Sequence, residues 1–445
     1  MKKLLSSVLL LALLLPAFAQ EVSKKQDLTL LPLSIYGPNL DKRVVSSVDS
    51  RIKEVFVNLG RFNVLGLTTR LDKMDASEFI SNIRDMKQSN MTLPDAVKFG
   101  DVIFTEKDYN ALVGSFIVVI PQITNFSVER QEKEYTALVE TSFTILRGSD
   151  LSAIKVANIS TTSTDKSEAT AVSDAVGGIP AQLTFEIRSI PEFQLKTGVL
   201  EVNGMDVVME LGRDMGIVLG DEYVLQAKST VAGFQKVDET GLVIIKDVQE
   251  KFSIGQVIYG SAVMGDPLQE LPRMGVDIEG YAQYGLRNLL KKSFDYPDEE
   301  SYLLVAGLKG TLTRGVFNTR PYFAIEVPFE SLRIIGLLFI PVNAWVGMDY
   351  ITYLGRLNLT LGGAVGYSGL YDWTDTFKIE NKIVHTHVGA KLEATLGLLL
   401  GRDMKIQGTA GARAMLGIFE TFSPYADFFG SYYSAYVGGS FVYKY

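Results

Sequence analysis

The chain has 445 residues, is 47% hydrophobic and carries a formal net charge of -8 at pH 7. This length allows two or three domains, each with its own core, and the acidic balance excludes the basic surface that nucleic-acid binding requires. Because the chain has no cysteine, disulfides and an N-terminal lipid-modified cysteine are also excluded.

The first residues predict an export signal. Lys2 and Lys3 precede an apolar run over residues 4–15, and Ala17-Phe18-Ala19 forms a small-x-small cleavage site. We therefore expect residues 1–19 to be a signal peptide. No later run reaches the eighteen or so apolar residues of a transmembrane helix, so any membrane insertion after export requires strands closed into a barrel.

Residues 27–195 predict an α/β (α+β) domain that lies in the periplasm. Apolar residues at helical spacing from Val44 to Leu59 predict a helix that ends at Gly60, and residues 75–86 predict a second, short amphipathic helix. Alternating residues over 114–165 predict long strands. A helical stretch follows, interrupted at Gly177-Gly178-Ile179-Pro180.

The order of these elements resembles the periplasmic domain of the curli-secretion protein CsgG and related modules of TolB-like and flagellar-assembly T proteins. The segments that carry the resemblance are RFNVLGL, GSFIVVIPQITNF and SFTILRGSD. The chain departs from CsgG because it lacks the lipid-carrying cysteine and has a multi-stranded barrel of its own. The resemblance implies a periplasmic module that takes part in interaction or assembly.

Residues 196–270 predict a small β domain. The segment VLEVNGMDVVMELGRDMGIVLGDEYVLQ resembles the C-terminal domain of flagellar-assembly T proteins, with matching residues at Gly204, Gly212, Gly216, Gly220 and Asp221. The glycines are expected in turns and Asp221 as the cap of a tight turn. No helix or Lys-Ser/Thr pair follows, so these glycines do not predict a phosphate-binding loop. Residues 266–274 read as a linker.

Residues 275–445 predict an eight-stranded antiparallel transmembrane β-barrel. Large apolar residues alternate with small or polar ones, and the connections alternate between long and short, which is typical of outer-membrane barrels. A soluble sandwich would instead face charges outward and bulky residues inward. The predicted strands are 276–286, 300–312, 318–330, 340–352, 355–368, 384–398, 403–418 and 432–445.

The last strand ends in alternating aromatic residues. Phe441, Tyr443 and Tyr445 resemble the C-terminal signature that the barrel-assembly machinery recognises in bacterial outer-membrane proteins, with Tyr at the last position where Phe is commonest. The resemblance implies two partners, the assembly machinery and outer-membrane lipid, and it places the chain in the outer membrane with its N-terminal domains in the periplasm.

An eight-stranded barrel has an interior just wide enough for its own side chains. The inward positions carry five acidic and six basic residues, which can neutralise one another as a buried ionic network. The sequence therefore predicts a plugged lumen, with a polar conduit as the alternative. The predicted inward charges are Asp277, Glu279, Lys309, Glu326, Asp349, Arg356, Lys391, Glu393, Lys405, Arg413 and Lys444.

Residues suited to catalysis are sparse. The only histidines, His385 and His387, share one strand face, but no cysteine or third histidine completes a metal site. We therefore expect no enzyme activity, no metal and no cofactor. Two functional hypotheses remain: a barrel that anchors a periplasmic module, with surface loops open to ligand or host contact and an envelope protein as partner, or a narrow transport or secretion conduit.

Overall fold

The computed structural model describes residues 22–35, 40–66, 81, 85, 96–99, 102–105, 117–289, 301–329, 339–372, 383–417 and 431–445. These residues form three units along the chain: a sheet with packed helices, a small closed β-barrel and a larger closed β-barrel. We call them the first domain, the second domain and the large barrel. Among the described residues, no helix is long and apolar enough to cross a membrane.

The first domain is built on a sheet with the strand order β3-β1-β6-β7-β8, and β2 pairs with β6. Strand β1 is parallel to both of its neighbours, whereas β6, β7 and β8 are antiparallel. Strands β4 and β5 form a separate two-stranded sheet. The elements are β1 Gln26–Leu30, β2 Ser34–Ile35, α1 Lys42–Asn58, β3 Phe62–Gly66, β4 Ala96–Phe99, β5 Val102–Thr105, β6 Ile117–Gln131, β7 Glu134–Arg147, β8 Ala153–Asp165, α2 Glu168–Gly177 and α3 Ile179–Arg188.

One apolar stripe fixes helix α1 on this domain. Val45, Val48, Ile52, Val55 and Phe56 recur at three- and four-residue intervals, so they lie on one side of the helix, and all are buried. They share a core with the inner face of the sheet and with α2 and α3. The interrupted helical stretch predicted after residue 165 forms two separate helices, because α2 ends at Gly177 and α3 begins at Ile179.

The second domain is a six-stranded closed barrel with the strand order β10-β13-β12-β11-β14-β9. Strand β14 pairs with both β11 and β9 and so closes the barrel. Residues 266–274 are therefore not simply a linker, since the sixth strand lies within them. The strands are β9 Lys196–Asn203, β10 Asp206–Met209, β11 Glu222–Val231, β12 Phe234–Val248, β13 Ser253–Tyr259 and β14 Pro267–Leu271.

The large barrel has eight strands, each antiparallel to the next, and β22 pairs with β15 to close it. The predicted fold class, a multidomain α+β protein with a C-terminal eight-stranded antiparallel barrel, is confirmed. The bounds of the eight strands agree with the predicted ones to within a few residues. The strands are β15 Val276–Leu289, β16 Ser301–Leu312, β17 Thr319–Pro328, β18 Phe339–Leu354, β19 Leu357–Asp372, β20 Ile383–Leu399, β21 Met404–Gly417 and β22 Tyr432–Lys444.

Large apolar side chains cover the outside of this barrel. Leu361 and Val365 of β19 and Leu392 and Leu396 of β20 are all exposed, whereas the alternate positions face the lumen. A closed antiparallel sheet with an apolar exterior is the arrangement that a lipid bilayer favours.

Several predictions fall outside the described residues. They are the signal peptide at residues 1–19, the short helix at 75–86 apart from residues 81 and 85, and most of the long connections between barrel strands.

Candidate functional site

The lumen of the large barrel contains almost all of the predicted inward charges. Asp277, Glu279, Lys309, Glu326, Asp349, Lys391, Glu393, Lys405 and Arg413 lie on lumen-facing positions of their strands. Most of them contact one another in two clusters, one centred on Glu326 and the other on Lys309 and Glu393.

Glu326 is the most deeply buried carboxylate of the lumen, with 0% of its surface exposed. Its Oε1 accepts hydrogen bonds from Nη1 of Arg413 at 2.8 Å and from Nε1 of Trp345, and its Oε2 accepts one from the Tyr281 hydroxyl at 3.1 Å. Arg413 also donates to Gln283. These donors replace the water that an ionised carboxylate requires.

Lys309 is at the centre of the second cluster. Its Nζ lies 2.7 Å from Asp349, 3.5 Å from Glu393 and 4.0 Å from Glu279. Glu393 in turn accepts a hydrogen bond from the Tyr436 hydroxyl at 3.1 Å. One ammonium group is thus shared by three carboxylates that come from three different strands.

Aromatic rings fill the remaining space around the two clusters. The Nζ of Lys391 lies 5.2 Å from the ring of Trp345, and that of Lys309 lies 4.0 Å from the ring of Tyr322. Glycines on neighbouring strands make room for the rings: a Cβ at Gly411 would lie 2.7 Å from Cζ of Tyr436. The lumen glycines are therefore the complement of the bulky lumen aromatics.

Little open space is left inside the barrel. Two small cavities of about 10 and 30 Å³ remain between the charged side chains. Cavities of this size hold one or two water molecules. Neither of these two cavities is large enough for a solute.

Arg356 is a correction to the predicted network, because it does not lie in the lumen. Strand β18 ends at Leu354 and β19 begins at Leu357, so Arg356 lies in the turn between them. Its guanidinium stacks 4.0 Å from the ring of Tyr259 in the second domain. Lys444 does not pair with another lumen charge as predicted, since its Nζ lies 2.5 Å from a carboxylate oxygen of Glu222 in the second domain.

The predicted inward set lacks the lumen aromatics, one glutamine and one buried cation. The signal was present, because each missed residue lies an even number of positions from a predicted inward charge on its own strand. The alternation that identified the charges would therefore have identified these residues as well, namely Tyr281, Gln283, Arg320, Tyr322, Trp345 and Tyr436.

The second domain covers one end of the lumen. This is the end with the short turns, and we call it the turn end. Leu242, Ile244 and Ile258 point away from the core of the second domain and pack against Ile351, Tyr353 and Leu399 at the turn end. An apolar contact between the second domain and the large barrel thus covers the turn end of the filled lumen.

Buried ion pairs join the first domain to the second. Glu270 of β14 is held by Arg61 at 2.7 Å and by Arg188 at 2.6 Å, and all three side chains are almost fully buried. Burial disfavours ionisation of Glu270, but the guanidinium groups of Arg61 and Arg188 outweigh it and lower the pKa of Glu270 to about 2. Glu270 therefore remains a carboxylate at neutral pH.

Asp221 continues this network into the large barrel. Its Oδ1 lies 2.8 Å from Arg188 of the first domain and 2.9 Å from Arg314 in the β16–β17 turn of the large barrel. Its Oδ2 accepts a hydrogen bond from the backbone N–H of Val218 at 3.0 Å. Asp221 thus caps a tight turn, as its sequence position indicates, and also links all three units.

A further pair of contacts fixes the second domain to the ends of the barrel strands. Glu222 binds Lys444 of β22 and, at 3.1 Å, Arg273. Arg273 reaches on to Asp403 in the β20–β21 turn at 2.7 Å. Burial opposes the charge of Glu222, but Lys444 and Arg273 together lower its pKa. We call the ion pairs of Glu270, Asp221 and Glu222 the junction.

The predicted assembly signal lies on the outside of the large barrel. Phe441, Tyr443 and Tyr445 are about half exposed and share the outer face of β22. The ring of Tyr445 lies 6.0 Å from that of Phe185 in α3. These three residues do not converge with the lumen charges.

No family model matches this chain, and no curated protein matches it. Parts of it are similar to solved structures. Neisserial surface protein A aligns with a TM-score of 0.27 and 8% identity over 38% of this chain and 97% of that one. Ail, the attachment invasion locus protein of Yersinia pestis, aligns with a TM-score of 0.22 and 9% identity over 38% of this chain and 99% of that one. Lipoprotein GNA1162 from Neisseria meningitidis aligns with a TM-score of 0.22 and 12% identity over 36% of this chain and 97% of that one. We draw no functional conclusion from similarities of this size.

Proposed function

We propose that this chain is an outer-membrane protein whose barrel anchors a periplasmic interaction or assembly module. The observation that carries the proposal is the blocked lumen: charged and aromatic side chains fill it, and the second domain covers its turn end. This arrangement supports an anchoring role over transport. The proposed role involves no catalysis.

The outer face of the large barrel supports the membrane placement. Its exposed apolar side chains would cost free energy in water and are stabilised by lipid tails. Because the strand number is even, the first strand begins and the last strand ends on the same side of the barrel, so the soluble domains adjoin the turn end. Short turns on the periplasmic side are the rule for such barrels, which supports a periplasmic position for both domains.

The junction supports the anchoring role. A flexible tether would leave the soluble domains free to rotate, whereas buried ion pairs with 2.5–3.1 Å distances fix their orientation. The proposed partner is an envelope protein that binds the oriented domains, and we propose ligand or host contact for the long connections between the barrel strands. Phe441, Tyr443 and Tyr445 are the proposed signal for the barrel-assembly machinery.

Conductance in a planar bilayer tests this proposal against the conduit alternative. The refolded full chain should insert and show no stable openings across the voltage range that the bilayer tolerates. Insertion must be verified separately by protection of the large barrel from protease. Stable openings of the inserted chain would favour the conduit, and failure to insert would contradict the membrane placement itself.

A further inference from the structure

The second domain extends a two-stranded arm beyond its barrel. Strand β11 pairs with β14 only through residues 222–225, and β12 pairs with β13 only from Leu242 onward. Residues 226–231 and 234–240 therefore pair with each other alone. We call residues 226–240 the arm. Ala232 and Gly233 both have positive φ, which is the geometry of a tight two-residue hairpin turn.

The tip of the arm is strongly apolar for a solvent-facing hairpin. Val231 and Phe234 are cross-strand partners on one face, and Val237 lies on the other face, three cross-strand pairs from the tip. Phe234 has 78% of its surface exposed, which is the largest value among the large apolar residues that the structure describes. Exposed apolar groups clustered in this way mark an interaction surface.

Two other segments at the same end of the second domain are also apolar. The β13–β14 loop carries Val263 and Met264, and the β9–β10 turn carries Met205, all exposed. Gly260, at the start of that loop, packs against the backbone of Thr240 at the base of the arm. The opposite end of the second domain contacts the first domain through Gly216 and the large barrel through Leu219. The end that carries the arm is therefore the apolar one.

Contacts with the large barrel fix the position of this apolar end relative to the barrel strands. Arg402 in the β20–β21 turn lies 2.5 Å from Glu239 in the arm, and Arg356 in the β18–β19 turn stacks on Tyr259 beside the arm. Exposed Leu354 and Leu400 lie at these same turns. The apolar outer surface of the barrel thus continues, at the rim, toward the arm.

The charge of the outer part of the arm differs from that of the whole chain. Residues 226–237 contain Lys228 and Lys236 and no carboxylate, although the chain as a whole is acidic. Lys236 pairs with Asp238, which is nearer the base. An apolar tip flanked by lysines is the composition that binds a membrane surface with anionic lipid.

We propose that the arm is a second membrane contact, whose Phe234 tip inserts into the periplasmic leaflet beside the β18–β21 side of the barrel. This inference rests on the proposed function, because it requires the large barrel to span a bilayer with its turn end at the leaflet surface. The soluble domains would then be held by two kinds of contact, the ion pairs of the junction and the insertion of the arm into lipid.

Single-cysteine labelling tests this proposal on the full chain, which has no native cysteine. Phe234→Cys reports on the arm. Phe252→Cys is the matched control, since Phe252 is exposed in the β12–β13 turn at the opposite end of the second domain. Leu361→Cys reports on the outer face of the large barrel. Each variant receives a spin label and is placed in vesicles of phosphatidylethanolamine and phosphatidylglycerol.

Accessibility to a lipid-soluble and a water-soluble relaxation agent is then compared. We expect the label at 234 to be several-fold more accessible to the lipid-soluble agent than the label at 252, and to approach the label at 361. If 234 behaves like 252 while 361 contacts lipid, the arm proposal is wrong and the anchoring proposal survives. If 361 also contacts water, the membrane placement fails. Protection of 234 from both agents that increases with protein density would assign the tip to a second copy and overturn the lipid assignment.

Discussion

Individual lumen residues are most sensitive to loss of a charge partner. Removing one member of a buried ion pair leaves the other charge without compensation, at a cost of about 3–5 kcal/mol. Glu326→Ala should therefore destabilise the large barrel by about this amount, since Arg413 would lose its only carboxylate partner within the described part of the chain. Urea unfolding of the chain in vesicles measures the change.

The double variant serves as the control for this prediction. Glu326→Ala with Arg413→Ala should be less destabilised than the sum of the two single variants, because the unpaired charge is then absent. Additive effects would mean that the pair is not a coupled unit.

Glu270 makes the junction sensitive to acid. Its pKa is lowered from the ordinary 4.5 to about 2, so its contribution is fully present above pH 4.5 and is lost as the pH falls from 4.5 toward 2. The shift corresponds to roughly 3 kcal/mol. Unfolding free energy measured between pH 6 and pH 2 should show this loss. Glu270→Gln should lower stability at neutral pH and remove this part of the pH dependence; an unchanged profile would contradict the assignment.

At the scale of the strand, depth in the membrane should decide the effect of an outward charge. Leu392 lies in the middle of β20, whereas Leu359 lies next to the turn that begins β19. Leu392→Arg should cost about 2–4 kcal/mol and Leu359→Arg about 0–1 kcal/mol, since the penalty falls from midplane to interface. Urea titration in phosphatidylcholine vesicles compares them. Equal costs would argue against lipid around this face.

The strands were predictable because a period of two is a local signal. Alternation alone identifies β19 to β22 and the side of the sheet that each residue takes. Turns interrupt that signal: Arg356 has the parity of an inward residue, yet Gly355 at a φ of +68° has already turned the chain out of the strand. Which lumen residues meet across the barrel depends on pairing between strands, which the pattern of a single strand does not contain.

At the scale of the whole molecule, the junction was not predictable. Arg61 and Glu270 are 209 positions apart; Arg61 precedes a short apolar strand, and Glu270 lies in a segment that reads as a linker. Nothing in the spacing of either segment points to the other. The contact depends on how three units dock, which only the assembled fold determines.

Arg273 is the residue through which docking of the whole molecule can be tested. It contacts Glu222, Asp403 and two backbone carbonyls. Arg273→Ala should increase amide hydrogen exchange several-fold around residues 242–244 of β12, which pack against the large barrel. The reason is that the second domain would separate more often from the turn end of the barrel. The conductance should stay absent, because the lumen side chains remain in place.

Two controls accompany this variant. Arg273→Lys keeps the charge but loses the planar fork, so its exchange should be intermediate. Arg51→Ala removes an exposed ion pair in the first domain and should leave exchange at 242–244 unchanged. Conducting openings in Arg273→Ala would show that the second domain, and not the lumen, is the seal.

The double closure of the large barrel has a consequence for the cell in the proposed setting. A membrane that serves as a permeability barrier is weakened by each open pore it contains. A protein whose interior is packed solid and whose mouth is covered adds no such leak. Additional copies would then occupy membrane area without adding routes for solutes across that membrane.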